Sequence, residues 1–331
     1  MQSIDELSTN FISINSEQAF NENALALLQI HYKSNPVYRQ YIDFLYPSFK
    51  PSSIEHYTQI PCLPIELFKT QKVVLDGYAP IDYFTSSGTS GSERSVHYIV
   101  NFTPYENSFL NCFSQFWGNI EEYCILALLP NYMEQQHSSL IYMVQGLMQK
   151  SQHPNNGFYL HNHQALINTL QKLEQKKQKT ILFGVSYALL DLSEQFPFAL
   201  NSTSILETGG MKGRRKEMIR EELHAILCER FGCKHIFSEY GMAELFSQAY
   251  LQKNGFISPP WMKILIRNMH DPLCLEENGK SGGINIIDLA NIYSCPFIST
   301  QDIGKVHADH SFEVLGRFDQ SDVRGCNLLI L

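Results

Sequence analysis

The chain has 331 residues, more than one average domain, so one large domain or two domains are expected. Its 44% hydrophobic and 18% charged residues are typical of a globular protein with a substantial core. A net charge of −8, with no block of lysine and arginine, argues against a nucleic-acid partner.

The termini and the cysteines exclude further classes. No apolar run is long enough to span a membrane, and the N-terminus lacks the basic-then-apolar pattern of a signal peptide. Eight cysteines are scattered along the chain without a CxxC pair, so neither a zinc site nor a disulfide framework is predicted. We therefore expect a cytoplasmic protein whose cysteines are mostly reduced and buried.

The apolar pattern predicts helices first and an alternating region afterwards. Helical spacing indicates one helix over 16–35, with Ser16 as its N-cap, and another over 35–46. From Tyr83 onwards, predicted strands alternate with predicted helices. The strands are 123–129, 180–185, 204–207 and 235–239, and the helices are 140–150, 163–176 and 214–230. This alternation predicts an α/β fold with a largely parallel sheet.

The pattern changes after Tyr240, where short strands follow one another. They are predicted at 263–267, 283–288, 297–300 and 312–315. The sequence therefore predicts three parts: a helical segment over 1–80 packed on the core, an α/β nucleotide-binding core over 81–240, and a β-rich subdomain over 241–331 that completes the active site.

A loop of small residues lies within "YFTSSGTSGSERSVHYIV", which runs from Tyr83 to Val100. Positions 85–92 hold almost only serine, threonine and glycine, and strand-like sequence flanks them on both sides. Such a loop offers backbone N–H groups and hydroxyls at close range, as a polyphosphate requires. The Walker A and GxGxxG patterns are both absent.

Four further polar stretches end predicted strands. "ETGGMKGR" begins at Glu207, "SEYGMAEL" at Ser238, "STQDIGKV" at Ser299 and "EVLGRFDQSDVRGC" at Glu313. Each stretch is placed to bring polar groups to one edge of a sheet, where open α/β sheets bind ligands.

Together these motifs resemble the adenylate-forming enzymes, which include acyl-CoA synthetases, the adenylation domains of peptide synthetases and beetle luciferase. The resemblance implies their α/β N-terminal-domain fold, with mixed sheets flanked by helices, and implies ATP and Mg²⁺ as cofactors. It assigns nucleotide binding to Ser86, Ser87, Gly88, Thr89, Ser90, Gly91, Arg94, Gly209, Gly210, Tyr240, Gly241, Asp302 and Arg317. It assigns the metal to Glu244, and a place near the substrate carboxylate to His137.

A narrower resemblance, over about residues 60–326, is to the LuxE-type acyl-protein synthetases of luminous bacteria. It rests on "IPCLPIELFK", "SSGTSG", "TGGMKGR" and the terminal "GR…RGC". It implies activation of a fatty or other hydrophobic carboxylic acid to acyl-AMP. The acyl group would then pass to a thiol, which could be Cys326, a partner reductase, an acyl carrier protein or coenzyme A.

One departure concerns the C-terminal domain of typical adenylating enzymes, which supplies a catalytic lysine. We expect that mobile domain to be absent or vestigial here, because the sequence has only six residues after Gly325. Other cations must then steady the phosphates, and Lys212, Arg214 and Arg94 are the candidates.

Two alternatives from other classes stay open at the level of sequence. Gly184-x-Ser186-x-Ala188 follows an apolar strand and approximates the nucleophile elbow of an α/β-hydrolase or acyltransferase. The chain could also be a non-catalytic scaffold with an adenylating fold. ATP-dependent release of AMP or pyrophosphate separates an adenylating enzyme from a hydrolase, and ATP binding counts against a scaffold.

Overall fold

The computed structural model describes residues 4–86, 94–131, 133–195, 199–209 and 218–318. The predicted sites Ser87, Gly88, Thr89, Ser90, Gly91, Gly210, Lys212, Arg214 and Cys326 lie outside these residues. Among the described residues, no helix is long and apolar enough to cross a membrane.

The helices are α1 (Ile4–Asn10), α2 (Glu17–Ser34), α3 (Pro36–Leu45), α4 (Leu67–Thr70), α5 (Thr103–Trp117), α6 (Ser139–Ser151), α7 (His163–Gln175), α8 (Ser186–Gln195) and α9 (Arg220–Phe231). The strands are β1 (Leu63–Pro64), β2 (Asp82–Thr85), β3 (Val96–Ile99), β4 (Cys124–Leu128), β5 (Gly157–Phe158), β6 (Thr180–Val185), β7 (Thr203–Thr208), β8 (Ile236–Tyr240), β9 (Ala249–Gln252), β10 (Gly255–Ile257), β11 (Met262–Arg267), β12 (Ser281–Asp288), β13 (Phe297–Val306) and β14 (Phe312–Arg317).

Contacts divide the chain into two compact units. The first, here the β unit, contains the described residues of 1–86, 93–109 and 243–331, and the second, here the α/β unit, contains those of 110–242. The N-terminal segment thus packs with the C-terminal third: β1 pairs in parallel with the start of β13, and His31 of α2 contacts the carbonyl oxygen of Ile292. The predicted division at 80 and 240 stays a prediction about domains.

The α/β unit has a parallel sheet in the order β8-β7-β6-β4-β5. Every residue of β4 and β6 is buried, as expected for central strands covered on both faces. This arrangement confirms the predicted α/β class. Polar residues that follow β6, β7 and β8 therefore lie at the carboxyl edge of one sheet.

The β unit has an antiparallel sheet in the order β11-β12-β13-β14-β10-β9, together with the separate hairpin β2–β3. Strand β13 runs to Val306, six residues beyond its predicted end, and alternates buried with partly exposed positions. The polar residues Gln301 and Lys305 concealed this strand in the sequence because they occupy its outer face.

Most helices begin and end within one residue of their predicted limits, with one exception. Ser16 caps α2 by accepting a hydrogen bond from the backbone N–H of Ala19, at 3.2 Å. Helix α9, predicted from residue 214, is helical only from Arg220 within the described residues. The preceding Ile219 has extended backbone angles, so the predicted start of α9 lies too far towards the N-terminus.

Candidate active site

The two residues that flank the predicted phosphate loop are bound to each other. The backbone N–H of Ser86 donates to the carbonyl oxygen of Ser95 at 3.2 Å, and the N–H of Ser95 donates to Oγ of Ser86 at 3.0 Å. These bonds extend the β2–β3 hairpin by one step beyond the Thr85–Val96 pair. Arg94, the predicted phosphate-binding cation, is exposed. The two ends of the predicted phosphate loop, Ser86 and Ser95, are therefore joined within the β unit.

Glu244 is a buried carboxylate beside this base. Its exposed fraction is 4%, and the side chain of Ser95 lies close enough to influence its charge. Burial raises the pKa of Glu244, and the nearby charge of Asp302 raises it further. The nearby side chain of Ser95 and the charge of Arg317 act in the opposite direction. Glu244 is thus a carboxylate held in a place that resists its negative charge.

Asp302 and Arg317 are neighbours on β13 and β14, where their Cα atoms are paired in the antiparallel register. Nε of Arg317 lies 3.7 Å from Oδ1 of Asp302, and an Nη atom of Arg317 donates to Oε1 of Gln301 at 3.2 Å. Asp302 is 9% exposed, whereas half of the Arg317 side chain is open to solvent. The β unit therefore brings together Glu244, Asp302 and Arg317, which the sequence placed in three separate motifs.

These carboxylates are the described residues that best fit a magnesium ion. Oxygen ligands suit Mg²⁺, and Glu244 and Asp302 are close enough for one charge to raise the pKa of the other. Within the described ranges no group of three or more His, Cys, Asp or Glu residues could hold a metal by itself. A cation here would need further ligands, as Mg²⁺ usually takes from substrate phosphates and water.

Arg267 lies near Asp302 and was missed by sequence reasoning. Its guanidinium donates to the carbonyl oxygens of Ile284, at 2.9 Å, and Thr300, at 2.5 Å, and its Cζ lies 5.2 Å from the ring centre of Phe318. Gly283 leaves the space, because a Cβ there would lie 2.3 Å from Cζ of Arg267. Arg267 therefore ties β12 and β13 together next to Asp302.

Asp288 holds the segment that follows Glu244. Its carboxylate is fully buried and accepts hydrogen bonds from the backbone N–H groups of Phe246, at 2.8 Å, and Ser247, at 2.9 Å. It also accepts from the hydroxyl of Ser247 at 2.6 Å. Burial raises the pKa of Asp288, and these bonds offset part of that effect. The sequence offered no signal for this role, since Asp288 simply ends a largely apolar strand.

The α/β unit contains the remaining predicted site residues that the structure describes. Tyr240 ends β8 and is 9% exposed, and Gly241 after it is exposed. Gly209 follows β7 with a φ of 72°, in the left-handed region that favours glycine. His137 lies in the loop after β4 and also has a positive φ, of 62°. Their predicted contacts with nucleotide or acid stay predictions.

Ser186 is bound in a way that opposes the nucleophile hypothesis. It begins α8 after β6, is 1% exposed, and its hydroxyl donates to the carboxylate of Glu207. The hydroxyl of Ser238 donates to the other oxygen of Glu207 at 2.9 Å and lies 3.2 Å from Nε2 of His224. A nucleophilic serine instead pairs with a histidine base and faces substrate. Ser186 therefore serves a buried polar network.

A second carboxyl group, Glu239, adjoins this network. It accepts a hydrogen bond from the hydroxyl of Thr208 at 2.7 Å. Burial raises the pKa of Glu239 to about 7, and the charge of Glu207 adds to the effect. Two acidic residues therefore sit near the ends of β7 and β8, within the polar stretches that begin at Glu207 and Ser238, and the sequence had not singled out either of them as a site residue.

No protein-family model matches the sequence, and no curated protein matches it. Solved structures do match. The structure of 2-hydroxyisobutyryl-CoA ligase in the postadenylation state, in complex with 2-HIB-AMP, has a TM-score of 0.68 and 12% identity over 92% of this chain and 68% of that one. The fold is that of the adenylate-forming enzymes.

Two other structures support the same fold. An open conformation of 2-hydroxyisobutyryl-CoA ligase in complex with 2-HIB-AMP and CoA has a TM-score of 0.66 and 12% identity, over 92% of this chain and 75% of that one. ATP-bound MatB from Rhodopseudomonas palustris has a TM-score of 0.54 and 13% identity over 71% of this chain. The match covers 47% of MatB, so the chain spans about half the length of that protein.

Proposed function

We propose that this protein activates a carboxylic acid with ATP, forming an acyl-AMP, and passes the acyl group to a thiol. The observation that carries the proposal is the convergence of Glu244, Asp302 and Arg317 in the β unit. Each comes from a different motif of the adenylate-forming enzymes, and the chain has their fold. Chance resemblance of isolated motifs would not bring these side chains together.

The proposed chemistry solves a leaving-group problem. A carboxylate is a poor acyl donor because its leaving group would be oxide. Attack of the carboxylate on the α-phosphate of ATP forms a new carboxyl-oxygen–phosphorus bond and releases pyrophosphate. Attack of a thiolate on the acyl carbon then forms the thioester and releases AMP. Magnesium, when bound, supplies positive charge against the triphosphate.

The chain's own residues bind and orient the reactants in this proposal. Asp302 accepts hydrogen bonds from the ribose hydroxyls, with Arg317 beside it, and Tyr240 lies against adenine. Glu244 offers its carboxylate to the metal, and the nearby side chain of Ser95 favours its charged form. Arg94, Lys212 and Arg214 are proposed to neutralise the phosphates, and residues 86–91 to hold them. His137 is proposed near the acid.

The acceptor thiol is proposed to be Cys326 or an external thiol. Burial raises the pKa of the Cys62, Cys124 and Cys233 thiols, each to about 12. The exposed Cys274 donates to Oδ2 of Asp271 at 3.1 Å, which also raises its pKa. These four thiols are poor nucleophiles at neutral pH, because the thiolate is the reactive form. A Cys326→Ser variant that still forms acyl-AMP without a hydroxylamine-labile acyl-enzyme would assign the acyl group to Cys326.

We also propose that the protein belongs with the LuxE-type acyl-protein synthetases and takes a fatty or other hydrophobic acid. A partner reductase, an acyl carrier protein or coenzyme A would then receive the acyl group. The deciding experiment is pyrophosphate exchange into ATP with a panel of carboxylic acids, followed by thioester analysis with each acceptor. Exchange that depends on an acid is expected. If the protein neither binds ATP nor exchanges pyrophosphate with any acid, the scaffold is favoured. Acyl transfer without nucleotide would favour the hydrolase.

A further inference from the structure

His97 connects the predicted phosphate-loop hairpin to the segment that carries Glu244. It lies on β3, two positions after Ser95, and its ring is fully buried. Nδ1 lies 2.7 Å from the carbonyl oxygen of Ala243, the residue before Glu244. Alternate residues of a strand share a face. His97 therefore holds the 243–244 segment through the backbone before Glu244, and the side chain of Ser95 lies beside the Glu244 carboxylate.

Asn291 holds the same segment from the other side. Its amide nitrogen donates to the carbonyl oxygens of Glu244, at 2.9 Å, and Cys295, at 2.8 Å. These two bonds fix the orientation of the amide, so its oxygen faces Nε2 of His97 at 3.1 Å. The backbone on both sides of the Ala243–Glu244 peptide is thus bound by side chains from β3 and from the 291–295 turn.

The ring of His97 is also fixed by packing. It lies against Phe246, with ring centres 4.9 Å apart, and edge-on to Phe68, at 5.8 Å. Burial lowers the pKa of His97 to about 4, while the contacts with Ala243 and Asn291 act in the opposite direction. Both ring nitrogens face oxygen atoms, and the shorter distance assigns a hydrogen to Nδ1, which donates to Ala243.

We propose that His97 is a positioning residue for Glu244, acting through the carbonyl group of Ala243 and together with Asn291. It holds the Glu244 carboxylate in register with Ser95, at the base of the predicted phosphate loop. Burial alone would orient Glu244 poorly, because a buried carboxylate without a fixed backbone gains by turning towards solvent. This inference rests on the proposed function for its effect on catalysis, but its structural part does not.

His31 provides a matched control. It is also fully buried in the β unit, its Nε2 lies 3.0 Å from the carbonyl oxygen of Ile292, and its ring lies edge-on to Tyr38 and Phe297. His31→Phe and His97→Phe therefore each remove one buried bond to a backbone carbonyl while keeping a ring among aromatic neighbours. Only His97 contacts the segment that carries Glu244.

The first measurement is hydrogen exchange of the ligand-free protein over residues 243–248, which needs no assumption about activity. His97→Phe should accelerate exchange there by about tenfold or more, because the local opening becomes easier. His31→Phe should leave that segment close to wild type. Equal acceleration in both variants, in proportion to their loss of stability, would overturn the inference and leave His97 a packing residue.

The second measurement is pyrophosphate exchange, with kcat and KM determined separately. Misplacing a catalytic group by about 1 Å can lower the rate by about 10²-fold. His97→Phe should therefore lower kcat by at least about tenfold with little change in KM for the acid, whereas His31→Phe should keep kcat. Unchanged kcat in a folded His97→Phe protein would overturn the catalytic part of the inference.

His97→Asn keeps the test decisive if the phenylalanine variant folds poorly. The asparagine amide nitrogen can take the place of Nδ1 and donate to Ala243. This variant should therefore recover both slow hydrogen exchange over 243–248 and the wild-type kcat of pyrophosphate exchange. A folded His97→Asn protein no better than His97→Phe would count against the bond to Ala243. If wild-type protein shows no exchange of pyrophosphate with any acid, the proposed function fails, while hydrogen exchange still tests the role of His97.

Discussion

The side chain of Ser95 lies beside the carboxylate of Glu244 and lowers its pKa, so the residue after the predicted phosphate loop adjoins the predicted metal ligand. Both side chains are buried, and Ser95 is in turn bound to Ser86 at the other end of the loop. A change in the position of the loop base is therefore transmitted directly to Glu244. The two sites cannot be treated as independent.

Removing the charge of Glu244 should greatly reduce pyrophosphate exchange without loss of stability. Glu244→Gln keeps an oxygen beside the Ser95 side chain and replaces a carboxylate that burial disfavours, so the melting temperature should stay unchanged or rise. Pyrophosphate exchange should fall by about 10²-fold, since bonds to charged groups contribute about 1.5–3 kcal/mol and a metal ligand more. Glu277→Gln, at an exposed position, is the control. Wild-type exchange in Glu244→Gln would remove this residue from the site.

Asp302 should affect nucleotide affinity far more than folding. Its ion pair with Arg317 is long, at 3.7 Å, and half of the Arg317 side chain is exposed, so the pair contributes about 0–1 kcal/mol to stability. Asp302→Asn should nevertheless raise the Kd for ATP by about tenfold or more, through the lost bonds to the ribose. Calorimetric titration measures Kd, and urea unfolding measures stability. A variant that unfolds easily but binds ATP normally would make Asp302 a structural residue.

Ser186 should prove structural. Ser186→Ala removes a hydrogen bond to the buried carboxylate of Glu207, which should cost about 1.5–3 kcal/mol of unfolding free energy. Pyrophosphate exchange per folded molecule should persist, and a fluorophosphonate probe should not label Ser186 of the wild type. Labelling at Ser186, together with acyl transfer that needs no ATP, would instead support the hydrolase.

His31 should make the protein less stable in acid. Its Nε2 contacts the carbonyl oxygen of Ile292 and its Nδ1 faces the amide nitrogen of Asn35 at 3.3 Å, an arrangement that suits the neutral ring. Burial lowers its pKa to about 3 from the usual 6.5. The unfolded chain therefore binds a proton that the folded chain does not, and stability is lost as pH falls through this window.

The test compares wild type with His31→Phe in urea unfolding at pH 7, 6, 5 and 4. The unfolding free energy of wild type should fall relative to that of the variant by up to about 1.4 kcal/mol per pH unit below pH 6. Above pH 7 the difference should be constant. Parallel curves across the whole range would mean that the ring is charged in the folded protein or that other groups dominate.

Local signals in the sequence were sufficient for much of the fold. Complete burial of β4 and β6 requires continuous apolar runs, and the run over 180–185 gave the limits of β6 correctly. The Ser16 cap likewise defines its helix by a bond within three residues. Such elements are predictable because the interactions that form them are local or depend only on which face is buried. The motifs around Glu244, Asp302 and Arg317 were visible because each is a short contiguous pattern.

What only the tertiary structure decided is the support of those motifs. The supporting side chains bind backbone groups of residues that are remote in the chain; they are His97, Asn291, Asp288 and Arg267. A backbone carbonyl or N–H group is the same whatever residue bears it, so no sequence pattern marks such a partner. Ser186 is the converse case, since its local pattern suggested a nucleophile and its contact with Glu207 binds it in the interior. The sequence by itself determined which side chains could bind a nucleotide; packing decided which of them meet and what holds them in place.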